Sequence, residues 1–268
     1  MQIRGQNFTI GADPEIFMGI DGQFVSAHSA IPGTKKQPFR VEKGAVQVDG
    51  MALEFNIDPS KDYDEFIENL TLVQNQLLKM LPKDTQFLTS STVEFDEIFL
   101  KNIPRKAKTM GCEPDYNAYT IARNIKPDSS TLFRTAGGHL HAGGFFTNNP
   151  FSDDHMNTSA RLARILDEKI GVYSLIWDKD DKRRSLYGQA GAFRPKYYGM
   201  EYRSLSNAWL FNKNVIKFIY DGFAEAIELM FDLDYEPNPE IPQIINSSNR
   251  QHPIFDTPKA VGLKESLV

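Results

Sequence analysis

The stretch GGHLHAGG, residues 137–144, places two histidines one residue apart between two pairs of glycines. Side chains alternate across a β-strand, so His139 and His141 would share one face of a short strand and Leu140 would take the other. A buried strand normally carries β-branched or aromatic residues at such positions. The stretch therefore predicts a short extended segment with two imidazoles on one side and little bulk around them.

Three other segments show the same alternation of polar and apolar residues. Any one of them alone is compatible with an ordinary amphipathic strand whose polar face meets solvent. Together, the four segments supply carboxylates, imidazoles and a guanidinium instead of the mixture of Lys, Thr and Ser found on solvated faces. We interpret them as strands of one sheet whose inner face carries hard-cation ligands and a phosphate-binding arginine. The pairs are Asp13 and Glu15, Glu54 and Asn56, His139 and His141, and Glu201 and Arg203.

Composition is typical of a soluble globular chain, with 41% hydrophobic and 24% charged residues among 268. A single cysteine, Cys112, excludes a disulfide within the chain and favours the cytoplasm. We expect no secretory signal and no membrane span, because no segment approaches about 18 consecutive apolar residues. The net charge of −5 argues against a nucleic-acid partner, since phosphate binding requires a basic surface.

Helical periodicity occurs in three segments, residues 61–81, 153–176 and 213–230, with Ser60 and Ser152 as N-caps of the first two. Short strand-like pieces lie between them. From residue 233 onward the chain is rich in Pro, Asn and Ser, which predicts an irregular arm or tail. We therefore expect one α/β (α+β) catalytic domain, residues 1–232, followed by a C-terminal arm, residues 233–268.

The ligand types leave several metals open. A His-x-His pair with carboxylates suits zinc hydrolysis or non-haem iron, but no His-Glu-x-x-His is present. The many carboxylates favour two or more Mg²⁺ or Mn²⁺ ions that bridge substrate phosphates. No P-loop motif is present, so a nucleotide would be held by metals and arginines. The acids in question are Asp13, Glu15, Asp49, Glu54 and Glu201, and the arginines are Arg183, Arg184, Arg194 and Arg203.

The motifs GADPEIF, VDGMALEFN, GGHLHAG, RSLYGQAGAFRP and YGMEYRSL, in this order, resemble the phage-type carboxylate–amine ligases (COOH-NH2 ligase type 2). These belong to the superfamily of glutamine synthetase and γ-glutamylcysteine synthetase. The resemblance spans about residues 9–210. It implies a glutamine-synthetase-like catalytic fold, in which helices pack on the outer face of a curved, mainly antiparallel sheet. It also implies ATP as substrate and Mg²⁺ or Mn²⁺ as cofactor.

Carried over position by position, the resemblance implies a role for each candidate residue. Asp13 departs by one methylene from the superfamily's Glu-x-Glu metal pair. Asp49 is favoured over Gln47 as the earlier ligand of the second catalytic strand, with a bulge at Gly50 swinging it inward. Metal ligands would be Asp13, Glu15, Asp49, Glu54, His139 and Glu201. Nucleotide or substrate contacts would come from His139 (as a metal or a phosphate ligand), His141, Arg183, Arg184, Arg194 and Arg203, with Glu54, Arg194 and Arg203 as the catalytic residues.

The implied reaction is ATP- and Mg²⁺-dependent formation of an amide or isopeptide bond through an acyl phosphate. Its substrates would be a small-molecule or peptide carboxylate and an amine, in the cytoplasm (of the host if the chain is phage-encoded), and relatives of this kind often form homo-oligomers. The glycines around the histidines would let polyphosphate and metal approach the backbone. Alternatives are an ATP phosphotransferase of the guanidino-kinase type, a catalytically degenerate binding or virion-associated protein, and a zinc hydrolase.

Two further residues have open roles. Cys112 has no evident activating partner, so we expect a buried structural thiol and not a nucleophile. Asp115 would either receive the substrate amine or cap a turn.

Overall fold

A computed structural model describes residues 1–3, 5–104, 107, 115–125 and 132–267. Strands and helices alternate along this part of the chain. The strands are β1 (Gln2–Ile3), β2 (Gln6–Asn7), β3 (Thr9–Ile20), β4 (Gln23–Val25), β5 (Phe39–Val41), β6 (Gly44–Asp49), β7 (Ala52–Ile57), β8 (Thr85–Leu88), β9 (Thr92–Glu94), β10 (Tyr116–Asn117), β11 (Phe133–Thr135), β12 (Gly138–Gly143), β13 (Ala192–Lys196) and β14 (Gly199–Tyr202).

The helices lie mainly in the second half of the chain. A π-helical turn, Asp167–Gly171, follows α3, and 3-10 turns occupy Asn207–Phe211 and Pro253–Asp256. The α-helices are α1 (Tyr63–Met80), α2 (Glu97–Asn102), α3 (Asp153–Leu166), α4 (Ser174–Trp177), α5 (Asp181–Leu186), α6 (Lys213–Leu229), α7 (Ile241–Asn246) and α8 (Pro258–Ser266). None of the helices in the described part of the chain has the length and apolar character that crossing a membrane requires.

A ten-stranded antiparallel sheet organises the molecule. Its strand order is β10-β13-β14-β12-β3-β7-β6-β5, and β4 and β8 also pair with β3. The long strand β3 is central because its first half pairs with β12 and its second half with β7, β4 and β8. The prediction of a mixed α/β chain with a large antiparallel sheet and packed helices is confirmed.

The register of the sheet separates an apolar face from a polar one. Phe193, Tyr202, Leu140 and Ala12 are aligned across four neighbouring strands and are all buried. Helices α1 and α3 pack on the sheet, α1 against β6 and β7 and α3 against β13 and β14. Because side chains alternate, the residues next to this row project from the opposite, inner face of the sheet.

The predicted helices exist, with different boundaries. Helix α1 begins after Asp62, whose carboxylate accepts from the Glu65 N–H at 2.9 Å, whereas the predicted cap Ser60 is buried and accepts from Asn69. The second helix was predicted to reach residue 176 but its α-helical part ends at Leu166. The chain then forms the π turn, in which Gly171 leaves room for the Tyr202 hydroxyl to reach Asp167 at 2.6 Å.

The segment after residue 233 is more regular than predicted. It contains α7, the turn Pro253–Asp256 and α8, and it covers a second group of apolar side chains that includes Val172, Leu175 and Phe255. Three of the five prolines that suggest an irregular arm, Pro242, Pro253 and Pro258, occupy first-turn positions of these helical elements, where the missing N–H has no intrahelical partner to lose.

Candidate functional site

Three of the predicted site residues meet on the inner face of the sheet. Asp13 on β3, His141 on β12 and Glu201 on β14 each bring one ligand atom to within 4.8 Å of the others. The register explains the meeting, because His141 lies directly opposite Glu201 and His139 lies directly opposite Asp13. We call Asp13, His141 and Glu201 the Glu201 cluster.

Basic side chains surround the carboxylate of Glu201, which is fully buried. Arg194 Nη1 lies 3.0 Å and Lys196 Nζ 2.8 Å from its Oε2, and Arg203 donates to Oε1. Burial opposes ionisation of Glu201. Its three basic neighbours outweigh burial, however, and hold the pKa of the carboxyl well below its usual value.

His139 lies beside this cluster and faces a guanidinium. Its Nδ1 is 3.3 Å from Asp13 Oδ1 and 3.6 Å from Glu201 Oε1, with Arg203 Nη1 at 3.4 Å. Burial and the charge of Arg203 lower the pKa of His139 to about 4, so its imidazole is neutral at neutral pH. Arg203 is fixed in turn by Asp115, whose Oδ2 accepts from Arg203 Nε at 3.2 Å.

A second group of predicted ligands lies further along β3, on β6 and β7. Glu15 is directly opposite Glu54, which is directly opposite Gln47, and Asp49 ends β6 two residues later. Burial, together with the charge of Asp49, raises the pKa of Glu15 to about 7. Burial and the charge of Asp13 raise the pKa of Glu54 well above its usual value. We call Glu15, Asp49 and Glu54 the Glu54 cluster.

The hairpin that carries Asp49 differs from the predicted bulge. Asp49 pairs with Ala52, so Gly50 and Met51 form a two-residue turn, with Gly50 at a φ of +61°. Asp49 nevertheless borders the Glu54 cluster, with Lys35 Nζ 3.4 Å from its Oδ2. Gln47 also lies in this region, because it is buried and directly opposite Glu54 in the register. The structure thus brings both residues near Glu54.

A cleft borders the Glu54 cluster and extends to His139 and Arg203, which lie beside the Glu201 cluster. Its walls combine acids with bases, and the backbone of Gly137 forms part of its floor and donates to Glu15 Oε2 at 2.8 Å. Arg183 is buried in the wall, where its guanidinium donates to the carbonyls of Ser204 and Arg203 at 2.9 Å. The titratable and charged side chains that line the cleft are Glu15, Asp49, His139, Arg134, Arg183 and Arg203.

The chemistry of these side chains fits divalent cations. Within the described residues, Asp13 Oδ1, His141 Nε2 and Glu54 Oε2 are buried and make no hydrogen bond of acceptable geometry. Such atoms are costly to bury unless something pairs with them. Carboxylate oxygens with one imidazole nitrogen are ligands that Mg²⁺ and Mn²⁺ accept. The Glu201 cluster therefore offers a donor set suited to such an ion, and Glu54 Oε2 adds a carboxylate oxygen of the same kind on the same face.

One of the predicted site residues is not brought to this site. Arg184 turns away from the cleft and lies near Asp178 and Asp181, with Nη1 2.5 Å from Asp181 Oδ1. Cys112 lies outside the described residues, so the expectation of a buried thiol stays a prediction. Asp115 is brought to the edge of the site, but its observed partner is Arg203.

Two residues of the site were missed in the sequence. Lys196 follows Arg194 by two positions, so the same alternation that linked the other pairs places it on the inner face. Tyr198, whose hydroxyl lies 2.6 Å from His141 Nδ1, sits in the turn between β13 and β14. Alternation within a strand gives no signal for a turn residue, so only the folded chain reveals this contact.

Comparisons with known proteins bear on the family resemblance and on the fold. Residues 131–227 match the family model "Phage phiEco32-like COOH.NH2 ligase-type 2". The match confirms the resemblance inferred from the motifs and indicates an enzyme of the carboxylate–amine ligase type. It covers just over a third of the chain, including the histidines and Glu201 but not Asp13 or Glu54.

Solved structures with a related fold include "a bifunctional glutathione synthetase from Pasteurella multocida", with a TM-score of 0.54 and 12% sequence identity. The similarity covers 97% of this chain and 46% of that one, so this chain spans less than half the length of that protein. At this identity the similarity supports the mixed α/β fold alone. No curated protein sequence matches the chain.

Proposed function

We propose that the chain is an ATP- and divalent-metal-dependent carboxylate–amine ligase, built on a glutamine-synthetase-like sheet within residues 1–232. The observation that carries the proposal is the Glu201 cluster on the inner face of the sheet, with the acids Glu15, Asp49 and Glu54 on the same face and a cleft beside them that has arginines in its wall. A reaction between a carboxylate and ATP brings two anions together, and such a face can neutralise both.

Divalent ions would be held by Glu15, Asp49 and Glu54 in one cluster and by Asp13, Glu201 and a histidine in the other. Bound there, Mg²⁺ or Mn²⁺ supplies charge neutralisation of the ATP phosphates and polarises the transferred phosphoryl group. The donor atoms that lack hydrogen bonds, Asp13 Oδ1, His141 Nε2 and Glu54 Oε2, support these assignments.

The basic residues around Glu201 would bind the phosphates of ATP. Arg194 and Lys196 reach Glu201 from one neighbouring strand, and Arg203 is held between Glu201 and Asp115. A guanidinium donates two parallel hydrogen bonds to a phosphate or carboxylate, which orients the group as well as neutralising it. Arg183, in the cleft wall, would orient the carboxylate substrate from the other side.

In the proposed reaction a carboxylate oxygen of the first substrate attacks the γ-phosphorus of ATP. The bond from that phosphorus to the ADP oxygen breaks, and an acyl phosphate and ADP form. The amine nitrogen then attacks the acyl carbon, the carbon–oxygen bond to phosphate breaks, and the amine loses a proton. The products are an amide or isopeptide, ADP and inorganic phosphate.

The test is product analysis with ATP, Mg²⁺ and panels of small carboxylates and amines. A ligase releases equal amounts of ADP and phosphate only when both substrates are present, and an amide of the summed mass appears. A phosphotransferase would instead give a stable phosphorylated product without an amine. Absence of ADP formation with every pair would refute the proposal.

Two variants tie the activity to the clusters. We expect Glu54→Gln and Glu201→Gln each to reduce turnover by at least about a hundredfold, because a carboxylate that holds a catalytic cation is lost. Glu97→Gln is the matched control, since Glu97 is an exposed acid on α2 that pairs only with Lys101 among the contacts described. Turnover that survives both cluster variants would contradict the assignments.

A further inference from the structure

The turn that carries Tyr198 lies beside the Glu201 cluster and is tied to β12 by backbone contacts. Tyr198 lies with Tyr197 in the two-residue turn that joins Lys196 to Gly199. The Tyr198 carbonyl accepts from the Gly144 N–H at 3.0 Å, which ties the turn to the end of β12. Gly199, at a φ of +152°, packs so closely on the Ala142 carbonyl that a side chain there would collide with it. The tyrosine ring is thereby placed over β12.

The Tyr198 hydroxyl occupies one ring nitrogen of His141. Its Oη lies 2.6 Å from Nδ1, and the two rings are 6.0 Å apart between centroids. The other nitrogen, Nε2, lies 3.0 Å from Asp13 Oδ1 but makes no hydrogen bond of acceptable geometry within the described chain. The contact with Tyr198 thus turns Nε2 toward the carboxylates of the cluster.

The neighbouring histidine has the opposite environment. His139 Nδ1 also approaches Asp13 and Glu201, but the Arg203 guanidinium lies 3.4 Å from it. A second cation at that nitrogen would meet the positive charge of Arg203 at close range. Of the two imidazoles, His141 is the one that has both an open nitrogen and a hydroxyl partner behind it.

We propose that Tyr198 is a positioning residue for a divalent-metal site in which His141, and not His139, supplies the imidazole ligand beside Asp13 and Glu201. A nitrogen bound to an ion uses its lone pair, so Nδ1 must carry the ring proton and donate it to Tyr198 Oη. Partners of this kind fix both the tautomer and the ring orientation of a metal-binding histidine. The inference rests on the proposed metal site but not on the ligase reaction.

The test measures Mn²⁺ binding by electron paramagnetic resonance of the free ion, without nucleotide. All proteins carry Glu54→Gln, which removes a ligand of the other cluster. We expect Tyr198→Phe to weaken Mn²⁺ binding about tenfold or more, the usual effect of losing such a partner. Tyr197→Phe is the matched control, because Tyr197 is the exposed neighbour in the same turn, and its affinity should stay within about twofold of the parent.

Two further measurements separate positioning from a general structural role. His141→Gln should weaken binding at least as much as Tyr198→Phe, and His139→Gln should weaken it less. With Mg²⁺ bound, the ¹⁵N shifts of the His141 ring should report a proton on Nδ1 in the parent and a changed pattern in Tyr198→Phe. Thermal unfolding of the metal-free proteins should be the same for Tyr198→Phe and Tyr197→Phe.

The inference is overturned if Tyr198→Phe binds Mn²⁺ as tightly as the parent, if His139→Gln causes the greater loss, or if the parent binds no Mn²⁺. The ligase proposal fails separately. A protein that shows the expected order of Mn²⁺ affinities but forms no ADP with any substrate pair would keep the positioning role and lose the proposed activity.

Discussion

The two ligand clusters share one face of one sheet but have opposite electrostatic balances. In the Glu201 cluster a buried carboxylate meets three basic side chains, and its pKa lies well below the usual value. In the Glu54 cluster acids face acids, and the pKa values of Glu15 and Glu54 are raised. The comparison teaches that the first cluster is stable before any ligand arrives, whereas the second gains most from a bound cation.

The largest expected change in the free energy of unfolding is in the Glu201 cluster. Glu201→Gln replaces the buried carboxylate shared by Arg194, Lys196 and Arg203 with a neutral amide, so we expect a loss of about 3–5 kcal/mol in the free energy of unfolding. Urea denaturation of the metal-free protein measures this loss. Surface substitutions usually change the free energy of unfolding by less than about 1 kcal/mol. A change that small for Glu201→Gln would show that the three bases find other partners.

A smaller effect is expected when divalent ions are added. Ions that bind only the folded chain stabilise it, by about 2.7 kcal/mol at a hundredfold excess over the dissociation constant. Unfolding should therefore shift upward with Mn²⁺ in the wild type, and by less in Glu54→Gln. Equal shifts in the two proteins would place the ion elsewhere and break the comparison.

Asp167 is a third buried acid that can be compared with Glu201 and Glu54. Its neighbours are hydroxyl donors, whereas those of Glu201 are cations and those of Glu54 are acids. Tyr202 and Tyr119 donate to Asp167 at 2.6 and 2.9 Å, and burial raises its pKa to about 7. A folded-state pKa above the unfolded value of 3.8 means that its contribution is fully present below pH 3.8 and is lost as the pH rises toward 7. The slope is at most about 1.4 kcal/mol per pH unit.

Asp167→Asn, which resembles the protonated acid, should remove that part of the pH dependence. The variant and the wild type are compared by thermal unfolding from about pH 5 to about pH 8, a range that brackets the folded-state pKa of Asp167. We expect the wild type to lose stability relative to Asp167→Asn as the pH rises. Parallel curves would mean that Asp167 is ionised throughout.

The smallest effect is expected at Glu54. Glu54 and Glu15 lie directly opposite each other on neighbouring strands, and Glu54→Gln removes one of these two acids. Like charges opposite each other destabilise a sheet, so the metal-free variant should be as stable as the wild type or more stable by up to about 1 kcal/mol. Urea denaturation in chelator checks this. A destabilisation as large as that of Glu201→Gln would remove the distinction between the clusters.

Alternation within strands predicted much of the site from the sequence. It grouped Asp13 with Glu15, His139 with His141 and Glu201 with Arg203, and the inner face carries all of them. It could not give the register between strands. Register decides that Glu15 faces Glu54 while His141 faces Glu201, and hence that the ligands divide into two clusters. That division depends on hydrogen bonds between segments distant in the chain.

Other features depended on contacts that no local pattern contains. Arg184 lies one residue from Arg183, yet the turn of α5 sends one guanidinium into the cleft wall and the other toward Asp178. The helix predicted to reach residue 176 is interrupted because Asp167 is drawn to Tyr202, which comes from the sheet. The prolines after residue 233 suggest irregularity, but Pro242, Pro253 and Pro258 lie in first turns, where a proline is compatible with a helix.

The most direct test of the two-cluster account is anomalous diffraction from a crystal grown with Mn²⁺ and a non-hydrolysable ATP analogue. The account predicts separate manganese peaks, one among Glu15, Asp49 and Glu54 and one among Asp13, His141 and Glu201. Strong manganese peaks only at other places, or none on the inner face of the sheet, would contradict it.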